Sequence, residues 1–146
     1  MKVQPVALEI GKAEVLQDGR DVAVFALGSM VPEAWRLAKL LEAEGHSVAV
    51  INARFAKPID AECVARYGAR CELLVTMEDH VMAGGFGSAV LESLNALSME
   101  VPVVRVGWPD EFIEHGKPES LRVKYGLTAE AAMEAARPHL KRSVGV

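Results

Sequence analysis

Short apolar runs alternate with helical patterns along almost the whole chain, and this rhythm constrains the fold more than any other feature of the sequence. DVAVFALG (21–28) is apolar, rich in β-branched residues and ended by glycine, as suits a strand buried on both faces. In the following SMVPEAWRLAKLLEAEG, Ala34, Leu37, Ala38 and Leu41 recur at i, i+3, i+4 and i+7, one face of a helix. Ser29 reads as its N-cap, Pro32 suits the first turn, and Gly45 is a natural stop. The unit then repeats. HSVAVINA (46–53) is a second strand, PIDAECVARYGA a short helix capped by Asp60, and CELLVTM (71–77) a third strand. A helix from about Gly85 to Leu97 and a fourth strand, VPVVRVG (101–107), follow. A short helix around Ser120–Tyr125 and a closing one in TAEAAMEAARPHLKR, capped by Thr128, end the chain. Strands separated by helices have parallel neighbours, so the pattern predicts a three-layer α/β/α sandwich around a largely parallel sheet. The first 20 residues differ: IGK and QDG in ALEIGKAEVLQDG are turn signals, and we read 1–20 as an arm or irregular edge hairpin and 21–146 as the α/β domain.

Size and charge narrow the partners. A chain of 146 residues can bury a core without disulfides or metals. The formal charge of -4, with basic residues such as Lys12, Arg20, Arg36 and Lys39 scattered among acids, argues against nucleic acid and anionic membranes, which need a clustered cationic surface. The first twenty residues lack the apolar stretch of a secretory signal, and the run Val22 to Leu27 is far below the roughly 20 residues of a membrane span. Cys63 and Cys71 form no CxxC and have no partners at zinc spacing, so they read as small buried hydrophobes in a reducing cytoplasm.

In such a sheet, ligands bind beyond the carboxyl ends of the strands. Four segments belong there: LGSM, NARFAKPID, MEDHVMAGG and GWPDEFIEHG. Within TMEDHVMAGGFGSAV (76–90), GFGSAV departs from the dinucleotide fingerprint because Val90 takes the sixth place, and no Walker motif occurs anywhere. Free N–H groups at a helix N-terminus could still hold an anion. Glu78, Asp79 and His80 are adjacent, so in an extended chain their side chains alternate; Glu78 and His80 share a side, but no nucleophile is placed to use them. Ser88 lies in GFGSA, not in a G-x-S-x-G elbow. We therefore assign no catalytic, cofactor-binding or metal-binding residue and read a structural turn and contact loop. In it Gly84 and Gly85 serve positive φ or close packing, Gly87 admits a neighbouring backbone, and Glu78, Asp79 and His80 orient the loop or meet a partner. Elsewhere on this edge Arg54 and Lys57 are expected to pair with acids, while Trp108, Asp110 and His115 lie in an exposed loop. Met77, Val81, Met82, Phe86 and Trp108 are the candidate apolar contact patch. On these residues alone, a small-molecule or anion-binding module stays open beside a domain built for assembly.

LEIGKAEVLQDGRDVAVFALGSMVPEA, VINARFAKPID, VTMEDHVMAGGFGSAV, GWPDEFIEHG and YGLTAE together resemble the C-terminal domain of transketolase-like, thiamine-diphosphate-dependent enzymes. Within that family the likeness is to the 1-deoxy-D-xylulose-5-phosphate synthase branch ahead of transketolase or the β-subunit of a 2-oxoacid dehydrogenase, on the GWPDEFIEHG loop. The resemblance implies a five-stranded sheet with one antiparallel strand, an arm arriving from an interdomain linker, and two larger upstream domains that hold thiamine diphosphate and Mg2+. QDGRD lacks the first glycine and the asparagine ligand of the family's GDG motif. The resemblance leaves this domain packing and homodimer formation, with the MEDHVMAGGFG edge toward the subunit contact. It implies for the intact enzyme the condensation of pyruvate with glyceraldehyde 3-phosphate.

Overall fold

The computed structural model describes residues 3–141. Its five strands are β1 (Glu14–Gln17), β2 (Val22–Ala26), β3 (Val48–Asn52), β4 (Leu73–Val81) and β5 (Val103–Trp108). Five α-helices accompany them: α1 (Val31–Ala43), α2 (Ala61–Arg70), α3 (Phe86–Ala96), α4 (Pro118–Tyr125) and α5 (Ala129–Ala136). The strand order is β1-β3-β2-β4-β5, with β1 antiparallel to β3 and every other pair parallel. β1 thus pairs with β3, not with β2 as a hairpin would.

Alternation along the strands builds two cores. Val22, Val24, Val50, Val75 and Met77 face Leu37 and Leu41 of α1 and Ala132 and Met133 of α5. Ala23, Phe25, Ile51 and Leu74 face Val64 and Tyr67 of α2 and Phe86, Val90 and Leu94 of α3. The central strand β2 is buried on both faces, which is why it reads as an unbroken apolar run.

Three boundaries differ from the sequence reading, each for a local reason. Ser29 caps nothing: a 3-10 turn, Gly28–Met30, precedes α1, whose N-cap is Met30 without a side-chain bond. β4 runs on to Val81, because Val81 pairs with Trp108 beyond an irregularity after Met77. Glu78, Asp79 and His80 therefore belong to a strand. The last helix stops at Ala136, just before Pro138, which has no N–H to continue the ladder. Asp60 and Thr128 do cap, accepting the N–H of Cys63 at 3.0 Å and of Ala131 at 3.2 Å.

Candidate functional site at the carboxyl edge of the sheet

β4 outruns β2, which ends level with Met77, and delivers three polar side chains past the edge. Glu78 is 1% exposed, and its carboxylate accepts the N–H groups of Phe86 at 2.7 Å and Gly87 at 2.9 Å. Those are the first two residues of α3, whose N-cap, Gly85, has no side chain to offer. A carboxylate from a neighbouring strand thus satisfies orphan donors and meets the positive end of the helix. The anion position at this helix is filled by the chain's own Glu78.

The glycines divide their duties accordingly. A methyl group on Gly85 would lie 2.4 Å from Glu78 Oε2 and 2.5 Å from the Val81 carbonyl oxygen, so Gly85 makes room for the carboxylate. Gly84, at φ +70, supplies the left-handed backbone. Gly87 admits side chains and not a backbone: the same test places Thr76 Oγ1 at 2.6 Å and Arg105 Cδ at 2.9 Å.

Asp79 points to the other side. Its carboxylate accepts from Trp108 Nε1 at 2.7 Å, from Ser29 Oγ at 3.1 Å and from the Arg122 guanidinium. Burial raises the Asp79 carboxyl, but hydrogen bonds from Trp108, Arg122 and Ser29 and the charge of Arg122 outweigh it, holding it below the usual carboxylate range. The Trp108 ring meets Tyr125 edge-on at 5.8 Å, and the Tyr125 hydroxyl donates to Glu114 at 2.6 Å. This network fastens α4, which buries no side chain of its own.

His80 returns to the Glu78 side. Its Nδ1 lies 2.8 Å from the Val81 carbonyl oxygen, which assigns the proton there, and 3.7 Å from Glu78 Oε2, too far for a hydrogen bond. The pair shares a side without forming an acid–base dyad. Both line an open groove of about 870 Å³, together with Leu27, Ile59, Phe86 and Ala89.

The remaining predicted residues are dispersed. Arg54 pairs with Glu14 of β1 at 2.8 Å, as expected, whereas Lys57 lines the groove and makes no ion pair among the described residues. Besides capping α2, Asp60 accepts the Ala13 N–H at 2.9 Å. Asp110 and His115 stand exposed. The candidate apolar patch is corrected: Met77 and Phe86 are buried, packed into opposite cores, and Trp108 is held by Asp79. The most exposed large apolar side chains among the described residues are Val3, Val6, Leu8 and Ile10 of the arm, and Phe112 and Val123 near α4. Arg122 escapes a reading by periodicity because α4 has no apolar stripe to mark it. Among the described residues, no group of three or more His, Cys, Asp or Glu could hold a metal ion, and no helix is long and apolar enough to cross a membrane.

Residues 11–132 match the family described as transketolase, C-terminal domain. The chain is 54% identical to the 1-deoxy-D-xylulose-5-phosphate synthase of Acidobacterium capsulatum over 98% of its own length and 23% of the relative's. It is 51% identical to the synthase of Methylacidiphilum infernorum, over 97% of this chain and 22% of that protein. The chain therefore spans less than a quarter of the length of these curated relatives. Among solved structures, one described as a split-gene transketolase, inactive β4 tetramer, superposes with a TM-score of 0.85 at 40% identity, covering 94% of this chain and 45% of that one.

Proposed function

This chain belongs to the transketolase C-terminal domain family, and from that premise we propose that it is the non-catalytic assembly domain of a 1-deoxy-D-xylulose-5-phosphate synthase. The intact cytoplasmic enzyme condenses pyruvate with glyceraldehyde 3-phosphate, a step that supplies isoprenoid, thiamine and pyridoxal precursors. Thiamine diphosphate and Mg2+ are held by the upstream domains, and residues 1–20 are the linker that joins those domains to this one. The enzyme works as a homodimer to which this domain contributes packing surface.

One observation carries the reading: the carboxylates Glu78, Asp79 and Asp60 at the carboxyl edge are spent on donors of the chain itself. Glu78 is consumed by α3, Asp79 by Trp108, Ser29 and Arg122, and Asp60 by α2 and Ala13. Groups with filled hydrogen-bond capacity position elements; they do not wait for a substrate. The same observation bears on the cofactor. A diphosphate needs free N–H donors or a bridging cation, yet Glu78 occupies the N–H groups at α3 and Arg122 and Trp108 occupy Asp79. These residues do not fit thiamine diphosphate, and no chemical step is assigned to them. An anion-binding regulatory role for the glycine loop loses its site for the same reason.

The test is complementation. The Acidobacterium capsulatum synthase, truncated to remove the segment this chain matches, is assayed alone and after refolding or co-expression with this chain. We expect the truncated enzyme to be inactive and the pair to regain turnover and a dimeric mass. Full activity of the truncated enzyme alone, or saturable micromolar binding of thiamine diphosphate by the isolated chain, overturns the proposal.

A further inference from the structure

We infer that the N-terminal arm of one copy lies in the carboxyl-edge groove of a second copy. This deepens the assembly role proposed above and rests on it. The arm has no regular structure before Glu14, yet Val3, Val6, Leu8 and Ile10 are 91%, 82%, 56% and 76% exposed. Val6, Leu8 and Ile10 recur at every second residue, which puts them on one side of an extended segment. An apolar stripe of this kind calls for a cover.

The base of the arm is fastened beside the groove. Gly11 packs so tightly on Pro58, a groove residue, that a methyl group there would lie 2.9 Å from Pro58 Cγ. The Ala13 N–H is held by Asp60 at 2.9 Å and Lys12 by Glu62 at 2.9 Å. Gly11, at φ +75, turns the chain there, and the stripe leaves into solvent instead of entering its own groove. The groove wall formed by Leu27, Ile59, Phe86 and Ala89 is apolar, and about 870 Å³ is ample for three aliphatic side chains. Of the charged groove residues Lys57, Glu78 and Glu92, Lys57 is unpaired among the described residues and offers a partner to Glu9, the one charged residue from 3 to 10. Residues 3–10, extended, reach about 26 Å, enough to cross to a neighbour docked at this rim. Because arm and groove share the rim, a two-fold axis there makes the exchange reciprocal.

Crosslinking tests the exchange. A tagged Leu8→Cys chain is mixed with an untagged Ala89→Cys chain and oxidised; the native Cys63 and Cys71 are buried. We expect a disulfide-linked heterodimer on a non-reducing gel, and none when Phe112→Cys, on an exposed loop, replaces Ala89→Cys. The double variant Leu8→Glu, Ile10→Glu, at exposed positions that leave the fold intact, should weaken self-association at least tenfold in sedimentation equilibrium. No heterodimer, equal crosslinking to Phe112→Cys, or an intramolecular link when both cysteines share one chain overturns the inference. So does dimerisation that the arm charges leave unchanged, an outcome that would spare the assembly role. Failed complementation, by contrast, would sink the assembly role while the crosslink stood.

Discussion

Replacing Glu78 by glutamine keeps the side chain's shape and removes only what the carboxylate does. Glutamine retains one oxygen, which can accept from Phe86 or Gly87 but cannot serve both at 2.7 and 2.9 Å while its amide nitrogen faces the second donor. One charge-assisted bond, worth about 1.5–3 kcal/mol, is lost, and one N–H is left buried at a cost of about 1–3 kcal/mol. The two figures overlap because they describe one broken contact. Loss of the charge at the helix N-terminus adds roughly 0.3–1 kcal/mol. The sum is about 2–4 kcal/mol, or a fall in Tm of roughly 6–16 °C for a domain of this size. Thermal and urea unfolding of the isolated chain measure it, and amide exchange localises it: Phe86 and Gly87 should lose protection before the central strands do. His80→Ala is the control, since His80 is exposed and bonds only its neighbour's carbonyl, and should change stability by less than about 0.5 kcal/mol. A Glu78→Gln variant as stable as the parent would refute the capping role and release Glu78 for chemistry.

Other expectations follow from the same geometry. Gly85→Ala should destabilise by about 1–3 kcal/mol through collision with Glu78 and the Val81 carbonyl, and Gly84→Ala by about 1–2 kcal/mol through its positive φ alone; only the former should be relieved, and then in part, in a Glu78→Ala background, as a double-mutant cycle will reveal. The folded-state pKa of Asp79 is depressed, so its stabilisation is complete above the unfolded carboxylate pKa of about 3.9 and fades as pH falls below it. Asp79→Asn should accordingly flatten stability measured between pH 5 and 2. Burial, reinforced by the bond to Asp18, pushes the Tyr67 hydroxyl up to about 12, so stability drains away as pH rises from about 10 toward that value. Tyr67→Phe should lower stability at neutral pH and remove this alkaline slope; an unchanged slope would point to other groups, such as the thiol of Cys71, which burial pushes up to about 11.

The sheet and its helices are legible in the sequence because a strand buried on both faces and a helix with one apolar stripe leave periods of different kinds. Ala34, Leu37, Ala38 and Leu41 all fall in the core predicted for them. The edge is harder to read, since its contacts join residues far apart in sequence. Nothing near Asp79 announces that Arg122 will reach it across 43 positions, or that Glu78 will cap a helix eight residues on. A cap is normally sought beside the helix it serves, and here it arrives from the preceding strand. The apolar patch failed for a related reason. Met77 and Phe86 are apolar near the edge, but a residue's distance from a strand end says nothing about which face it takes. The exposed apolar stripe lies instead in the arm, where Val6, Leu8 and Ile10 alternate with Ala7 and Glu9 over too short a span to single out.

The overhang of β4 also restricts how this segment can change in length. Each step along it moves a side chain to the opposite side of the sheet, so Glu78 and His80 open on one compartment and Asp79 on another. Inserting one residue after Met77 would present a carboxylate where Trp108 and Arg122 now close on Asp79, but one methylene longer, would move the aspartate to the place of His80, and would set the inserted residue opposite α3 in place of Glu78. Both circuits would be miswired at once by a change that leaves composition almost untouched. A two-residue insertion would restore the sides but carry Glu78 about 7 Å along the strand, out of reach of α3, so the length of this overhang, as much as the identity of its residues, is what descendants of this sequence must keep.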